Sequence, residues 1–289
     1  MTMLGPGIVA RSMSVATRGS PGGKPFQYGN AWQYHPRSDR HSKIACWALM
    51  FDLLRSCESL RDHVASGRVA VGINHQMTDF ARNRTKNLDL VLARGSRRPG
   101  SGRTFANLVV PYAIRLEADE LAELAKLPDA PLAEPATVLM ALEAKACMTE
   151  FGKARPRLYD ELNSSHATIH GDTDGAIAAG FALLNTAESF VSPLRNPWHI
   201  GDQEARVSVH KQPGSAISVA EKLTELPRRS RPGDEGFDAF AILAVDCKND
   251  GSPVTLSPKA SGSIYPQIYD YAATVDRLAH LYATRFSSI

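Results

Sequence analysis

Three ionisable residues lie inside apolar, strand-like runs, where a buried chain carries charge only at a cost. Glu143 and Lys145 belong to the run 138–147, and Asp89 belongs to the run 87–92. Burial of an unpaired carboxylate or ammonium costs several kcal/mol or more. We therefore expect these charges to serve a function, and the chemistry that suits them is a divalent metal beside a polarised phosphodiester.

The two charges of the triplet Glu143-Ala144-Lys145 share one face of the predicted strand, because side chains alternate along a strand. A carboxylate on that face can bind Mg²⁺ through oxygen, and the neighbouring ammonium can orient a water or stabilise charge on phosphorus. Asp89, on a neighbouring strand, is the candidate second carboxylate. The alternative is a simple Glu143–Lys145 ion pair on an exposed strand face, which an acid-x-lysine triplet alone does not exclude.

The composition is that of an ordinary globular chain and neither requires nor excludes nucleic acid. The 289 residues are 43% hydrophobic and 22% charged, which provides for a sizeable core. The excess of basic over acidic residues is only +3. The four cysteines are far apart and form no CxxC pair, which argues against zinc and favours reduced thiols in the cytoplasm. No run reaches the ~18 apolar residues of a membrane span, and no secretory signal is visible.

The apolar pattern predicts an α/β fold with a mixed central β-sheet flanked by helices. We expect an N-terminal arm or extension over residues 1–40 and a single α/β domain over residues 41–289. Helices are predicted at residues 43–66, 118–127, 156–165, 173–190 and 266–286. Strands are predicted at residues 69–73, 88–92, 105–114, 137–147 and 237–248, the last followed by a hairpin turn at 249–251 and a return at 254–256.

Asp89 on one strand, followed by Glu143-Ala144-Lys145 on a later one, resembles the PD-(D/E)xK nuclease superfamily, whose best-known members are type II restriction endonucleases. The resemblance implies a restriction-endonuclease-like core, with the metal-binding acids and the lysine on adjacent strands and a helix after the second strand. It implies that Asp89 and Glu143 bind Mg²⁺ and that Lys145 positions the attacking water. Two features depart from the pattern: Leu88 replaces the family's proline, and the long gap between the strands must hold an additional strand and helix.

The function implied by this resemblance is a Mg²⁺-dependent endonuclease that hydrolyses DNA phosphodiester bonds. Sequence-specific cleavage of double-stranded DNA by a type II restriction enzyme is the expected form. Cutting at a palindrome would require a homodimer, because a two-fold site is matched by a two-fold protein. The alternatives are a non-catalytic DNA-binding protein on the same fold, or a nuclease that acts on branched DNA, DNA ends or RNA.

Two basic groups flank the predicted site and are candidates for DNA binding. Arginines neutralise phosphates and can read guanine, and a helix N-terminus attracts anions. A solvated loop and an ordinary charged helix start are the alternatives. The first group follows the Asp89 strand and the second begins the helix after the triplet: Arg94, Arg97, Arg98 and Arg103, and then Lys153, Arg155 and Arg157.

A rival acid-x-lysine triplet, Asp246-Cys247-Lys248, ends the strand predicted at residues 237–248. Its nearest upstream acid, Asp238, lies on the same strand and cannot supply a ligand from a neighbouring one. The triplet also runs directly into the Asn-Asp-Gly turn. We therefore interpret it as the polar end of a hairpin.

Overall fold

A six-stranded mixed β-sheet forms the centre of the computed structural model, which describes residues 2–98, 102–258 and 260–289, without the side chains of 96–98. Its strands follow the order β1-β2-β3-β4-β7-β8, and β5 and β6 pair separately. The β3–β4 and β4–β7 pairs are parallel and the others are antiparallel. The strands are β1 Val69–Asp79, β2 Arg84–Arg98, β3 Glu134–Cys147, β4 Ile177–Asn185, β5 Ser189–Val191, β6 Val207–Val209, β7 Ala239–Asp246 and β8 Thr255–Leu256.

Helices cover both faces of this sheet, so each face buries its own apolar cluster. Helices α1, α2, α3 and α7 pack on one face, and α5 and α6 pack on the other. The predicted α/β class, with a mixed central sheet flanked by helices, is therefore confirmed. The helices are α1 Gly5–Met13, α2 Arg40–Ser56, α3 Glu58–Ala65, α4 Ala118–Lys126, α5 Phe151–Asp172, α6 Gly214–Thr224 and α7 Tyr271–Arg285.

The N-terminal segment is not simply the arm that its Gly, Ser and Pro content indicated. Gly5–Met13 forms helix α1, and the side chains of Ile8, Val9 and Met13 are fully buried against α2. Asp52 of α2 holds the start of this helix by accepting the backbone N–H of Gly5 at 2.7 Å. The local composition does not indicate this helix, because α2, the partner that it packs against, lies about forty residues away in the sequence.

The helix predicted over residues 173–190 is wrong, because Ile177–Asn185 forms the buried central strand β4. All nine of its residues are buried, since the strand is paired on both edges and covered on both faces. Such strands are apolar at every position, so helical spacing can be found in them by chance. Strand β5 begins at Ser189, at the very end of that segment.

Three other element predictions need correction, and six are confirmed. The strand expected at 105–114 contains the 3₁₀ helix Ala106–Val109 instead, and α5 begins at Phe151, ahead of Pro156. The helix predicted over 43–66 is divided at Cys57, whose backbone is extended. The confirmed elements, with shifts at their ends, are the 118–127 and 266–286 helices, the 69–73, 88–92 and 137–147 strands and the 237–256 hairpin.

Candidate active site

The predicted triplet lies where strands β2 and β3 diverge. Their pairing ends at Leu90 and Leu142, while β3 continues beside β4 as far as Cys147. Asp89 is the next residue of β2 beyond this last pair. Its Oδ2 accepts the backbone N–H of Ala144, the middle residue of the triplet, at 3.0 Å. The fold therefore brings Asp89 directly against the triplet.

Helix α2 supplies the other partners of the Asp89 carboxylate. Its Oδ1 accepts a hydrogen bond from the Ser42 hydroxyl at 2.9 Å and lies 3.0 Å from the Lys43 ammonium. The Lys43 side chain is only 2% exposed and also donates to Asn74 of β1. Burial alone would raise the pKa of Asp89, but Lys43 and the Ala144 N–H outweigh it and hold that pKa below its ordinary value. Asp89 is therefore a fixed, ionised carboxylate.

Glu143 is buried, and only one of its two carboxylate oxygens has a partner. Its Oε1 lies 2.8 Å from the Lys145 ammonium and 3.9 Å from that of Lys86. Its Oε2 is buried and has no hydrogen-bond partner. Burial, together with the negative charge of Asp89, raises the pKa of Glu143 despite these two lysines. A buried carboxylate oxygen without a donor is an atom on which a cation would relieve a real cost.

Lys145 connects the triplet to helix α5. Its ammonium lies 2.8 Å from Glu143 and 3.6 Å from Glu161 of α5. Partial burial works against its charge, but the neighbouring carboxylates, led by Glu143, keep the pKa of Lys145 above its ordinary value. The side chain therefore remains a cation while 28% exposed, and it can meet a ligand from the open side.

A cavity of about 330 Å³ opens onto this cluster. Asp89 and Lys145 line one side, and Glu161 and Arg157 of α5 line another. His41 of α2 also borders it, and burial lowers the pKa of that imidazole to about 4, so the ring is neutral at neutral pH. The Nδ1 of His41 is buried without a partner. Carboxylate, ammonium and imidazole groups thus meet in one concave site.

These residues fit a hard cation such as Mg²⁺. Mg²⁺ prefers oxygen ligands, keeps several waters and needs only one or two carboxylates from the protein. Asp89 and Glu143 would supply them, and the unpartnered Glu143 Oε2 is the observation in favour. Within the described residues, no group of three or more His, Cys, Asp or Glu side chains is arranged to hold a metal by itself.

The basic residues predicted to bind DNA are distributed unequally around this site. Arg157 lines the cavity, and Lys153 lines a neighbouring one. Arg155 instead donates to Ser218 of α6 at 2.8 Å and points away from the triplet. The remaining predicted residues are Arg94, Arg97, Arg98 and Arg103, which we call the arginine loop.

Among the described side chains of that arginine loop, neither Arg94 nor Arg103 lines the cavity at Asp89. Arg94 is exposed on β2, five residues beyond Asp89, where the strand pairs with Thr137. The Arg103 carbonyl accepts the N–H of Leu132, in a segment that runs along the outer edge of β1. The side chains of Arg97 and Arg98 lie outside the described residues.

Sequence reasoning missed several members of the site. Ser42 and Lys43 lie in the first turn of α2, and Lys86 lies three residues before Asp89. For α2, the signal that could have identified Ser42 and Lys43 was a polar first turn on an otherwise buried helix. Glu161 lies 3.8 Å from Arg157, as their i,i+4 spacing on one helix allows, but its contact with Lys145 could not be predicted.

The rival triplet has a structural role. Asp246 pairs with Thr255 in the hairpin, as interpreted from sequence. Asp238 is fully buried and accepts from Arg229 at 2.9 Å, from Arg285 at 2.5 Å and from the Ala178 N–H at 2.8 Å. Its oxygens are thus committed to an internal ion-pair network.

Comparisons with known proteins identify no relative of this chain: no family model matches it, and neither the curated proteins nor the solved structures include a significant match. Within the described part of the chain, no helix combines the length and apolar character that crossing a bilayer requires.

Proposed function

We propose that this protein is a Mg²⁺-dependent endonuclease that hydrolyses DNA phosphodiester bonds. The observation that carries the proposal is that Asp89 and Lys145 line one cavity while Glu143, paired with Lys145 beneath it, has a buried oxygen without a partner. A structural salt bridge explains the Glu143–Lys145 contact but not that oxygen. The arrangement also agrees with the resemblance to the PD-(D/E)xK nucleases, in which acids and lysine lie on adjacent strands.

Asp89 and Glu143 would hold the ion, which when bound polarises the phosphate and activates a water. Ser42, Lys43 and the Ala144 N–H fix both oxygens of Asp89, so this ligand is preorganised. Lys145 orients the attacking water and stabilises the negative charge that develops on the phosphate oxygens. The water oxygen bonds to phosphorus, one phosphorus–oxygen ester bond breaks, and the departing oxygen takes up a proton.

DNA is the proposed substrate because three cationic side chains line the cavity: Arg37, Lys145 and Arg157. Arg157 borders the cavity and is 68% exposed, so it can neutralise a phosphate without losing a buried partner. Sequence-specific cutting of double-stranded DNA by a type II restriction enzyme, acting as a homodimer, is the form we propose. Cleavage of branched DNA, DNA ends or RNA, or DNA binding without cleavage, are the competing outcomes.

Digestion of plasmid, linear and branched DNA in Mg²⁺ tests the proposal. Discrete fragments are expected from wild type, no cleavage is expected in EDTA, and Lys145→Ala should lose cleavage while retaining DNA binding. Lys126→Ala, on α4 and paired only with Glu123 in the described contacts, is the matched control and should cut normally. A smear would remove the restriction-enzyme form, and binding without any cleavage would identify a non-catalytic protein.

Two further parts of the proposal have separate tests. The molecular mass of a homodimer, measured by analytical ultracentrifugation, would be twice the chain mass of 31.4 kDa. We also propose a cytoplasmic location, supported by four cysteines that are all buried as free thiols. Fractionation of the native host would locate the protein directly.

A further inference from the structure

A second cavity, of about 400 Å³, adjoins the candidate active site. The two cavities share the lining residues Tyr34, Pro36, Ala146 and Arg157. The two cavities are therefore immediate neighbours, in contact with the same four residues. The volume lies within the range of about 300–1,000 Å³ typical of small-ligand sites.

The lining of this second cavity changes from aromatic to cationic. Tyr34 and Phe190 meet edge to face with ring centroids 6.2 Å apart, and Met148 and Leu194 extend the apolar wall. Arg157 lies on the side that faces the active site. Phe190 is fully buried and supports the half-buried Tyr34 ring. An aromatic ring beside a guanidinium suits a nucleotide, whose base has two π faces and whose phosphate is an anion.

Aromatic surface continues beyond the second cavity. A third cavity, of about 720 Å³, shares Pro193 and Leu194 with it. The third cavity is lined by Phe26 and His35, whose rings stack with centroids 4.2 Å apart. Successive ring-lined spaces leading away from a phosphate-handling site are the arrangement by which proteins follow an unstacked nucleic-acid strand.

We propose that the Tyr34–Phe190 cavity receives one nucleobase of the substrate, unstacked from its neighbours and adjacent to the cleaved phosphate. Arg157 would contact the phosphate that links this nucleotide to the active site. The inference rests on the proposed nuclease function and narrows its substrate class. Unstacking a base is costly in an intact duplex and least costly at mismatches or in single strands. Substrates that are open at this nucleotide should therefore bind best.

Fluorescence of 2-aminopurine tests this directly, because the base brightens when it leaves a stack. The Lys145→Ala protein is mixed in Mg²⁺ with duplex, bulged and single-stranded oligonucleotides that carry the probe at successive positions. A rise in fluorescence at one position beside the cut made by wild type is expected. Probes further along the duplex should remain quenched.

Two variants connect the signal to the cavity. Ala154→Leu adds bulk from α5 into the lining and should abolish the fluorescence rise, whereas Ala125→Leu, on an exposed position of α4, should leave it unchanged. Tyr34→Ala removes a stacking face and should weaken binding of the open substrate about 10-fold, near 1.4 kcal/mol. Circular dichroism confirms that each variant is folded.

The outcomes separate this inference from the proposed function. If wild type cuts DNA but no probe brightens and Ala154→Leu cuts like wild type, the base pocket is wrong and the nuclease stands. If no nucleic acid is cut or bound, both are wrong. If the probe brightens equally in Ala154→Leu, the base goes elsewhere and the pocket assignment is overturned.

Discussion

The carboxylate of Asp89 accepts the backbone N–H of Ala144 at 3.0 Å, and this bond spans the gap that opens where β2 and β3 part. It replaces a strand-to-strand hydrogen bond with a side-chain one. An ionised carboxylate is thereby fixed between two strands, next to the triplet that carries Glu143 and Lys145.

The two candidate ligands should respond in opposite ways when their charge is removed in EDTA. Asp89→Asn leaves the buried Lys43 with only the more distant Asp39 carboxylate, at 4.0 Å, and should lower the free energy of unfolding by up to about 3 kcal/mol. Glu143→Gln removes a charge that burial disfavours and should leave the free energy unchanged or higher. Urea unfolding measures both, and a large loss in Glu143→Gln would contradict the account of the orphaned oxygen.

Mg²⁺ should stabilise the wild-type protein by mass action. At a free concentration near 100 times the dissociation constant, the gain is about 2.7 kcal/mol, or roughly 5 to 10 °C in Tm. Glu143→Gln should lose this increase, because it lacks the ligand charge. Differential scanning calorimetry with and without Mg²⁺ provides the measurement. An equal rise in both proteins would place the ion elsewhere.

Two arginines on the same helix should differ in their effect on DNA binding. Arg157 faces the cavity, while Arg155 is turned to Ser218 of α6. Arg157→Ala should reduce the slope of log affinity against log salt by about 1, because one phosphate contact is lost. Arg155→Ala serves as the control and should preserve the slope. Fluorescence anisotropy over a salt series distinguishes them, and identical slopes would exclude a phosphate contact at Arg157.

The buried Asp238 network should control stability in acid. Burial raises the pKa of Asp238, but Arg229, Arg285 and the Ala178 N–H outweigh it and hold that pKa below its ordinary value of 3.8. A carboxylate with a depressed folded pKa stabilises the protein above its unfolded pKa, and this contribution disappears as pH falls through the folded value.

At neutral pH, Asp238→Asn should therefore cost about 3 kcal/mol, since the buried Arg229 keeps only the exposed Asp174 as a charge partner. The difference from wild type should shrink as the pH falls below about 4. Denaturant unfolding across pH tests this, with Asp246→Asn at the end of β7 as the control. A difference that stays constant with pH would exclude Asp238 ionisation as its source.

Several parts of the site could be predicted because their signal is local. Nearly all the remaining positions of the strand around Glu143 and Lys145 are apolar. This pattern predicts that the strand is buried and marks the two charges as exceptions. Asp89 was found by the same reasoning. Both strands are present, and the β2–β3 pairing makes them neighbours.

Other parts had no local signal. The apolar residues of Ile177–Asn185 match a helical stripe and a fully covered strand equally well, and only pairing with β3 and β7 decides between them. Arg94 follows Asp89 closely in sequence, yet it lies where β2 pairs with Thr137 and does not line the cavity. A residue that follows Asp89 closely along β2 can therefore still lie away from the site.

By itself, the sequence determined where charge had to be buried, because the cost of a carboxylate or ammonium in an apolar strand depends on its immediate neighbours. Only the tertiary structure decided how each charge is compensated. Lys43 of α2 reaches Asp89, and Glu161 of α5 reaches Lys145, because the helices pack on opposite faces of one sheet. Such contacts join residues far apart in the chain, and no periodicity within a segment encodes them.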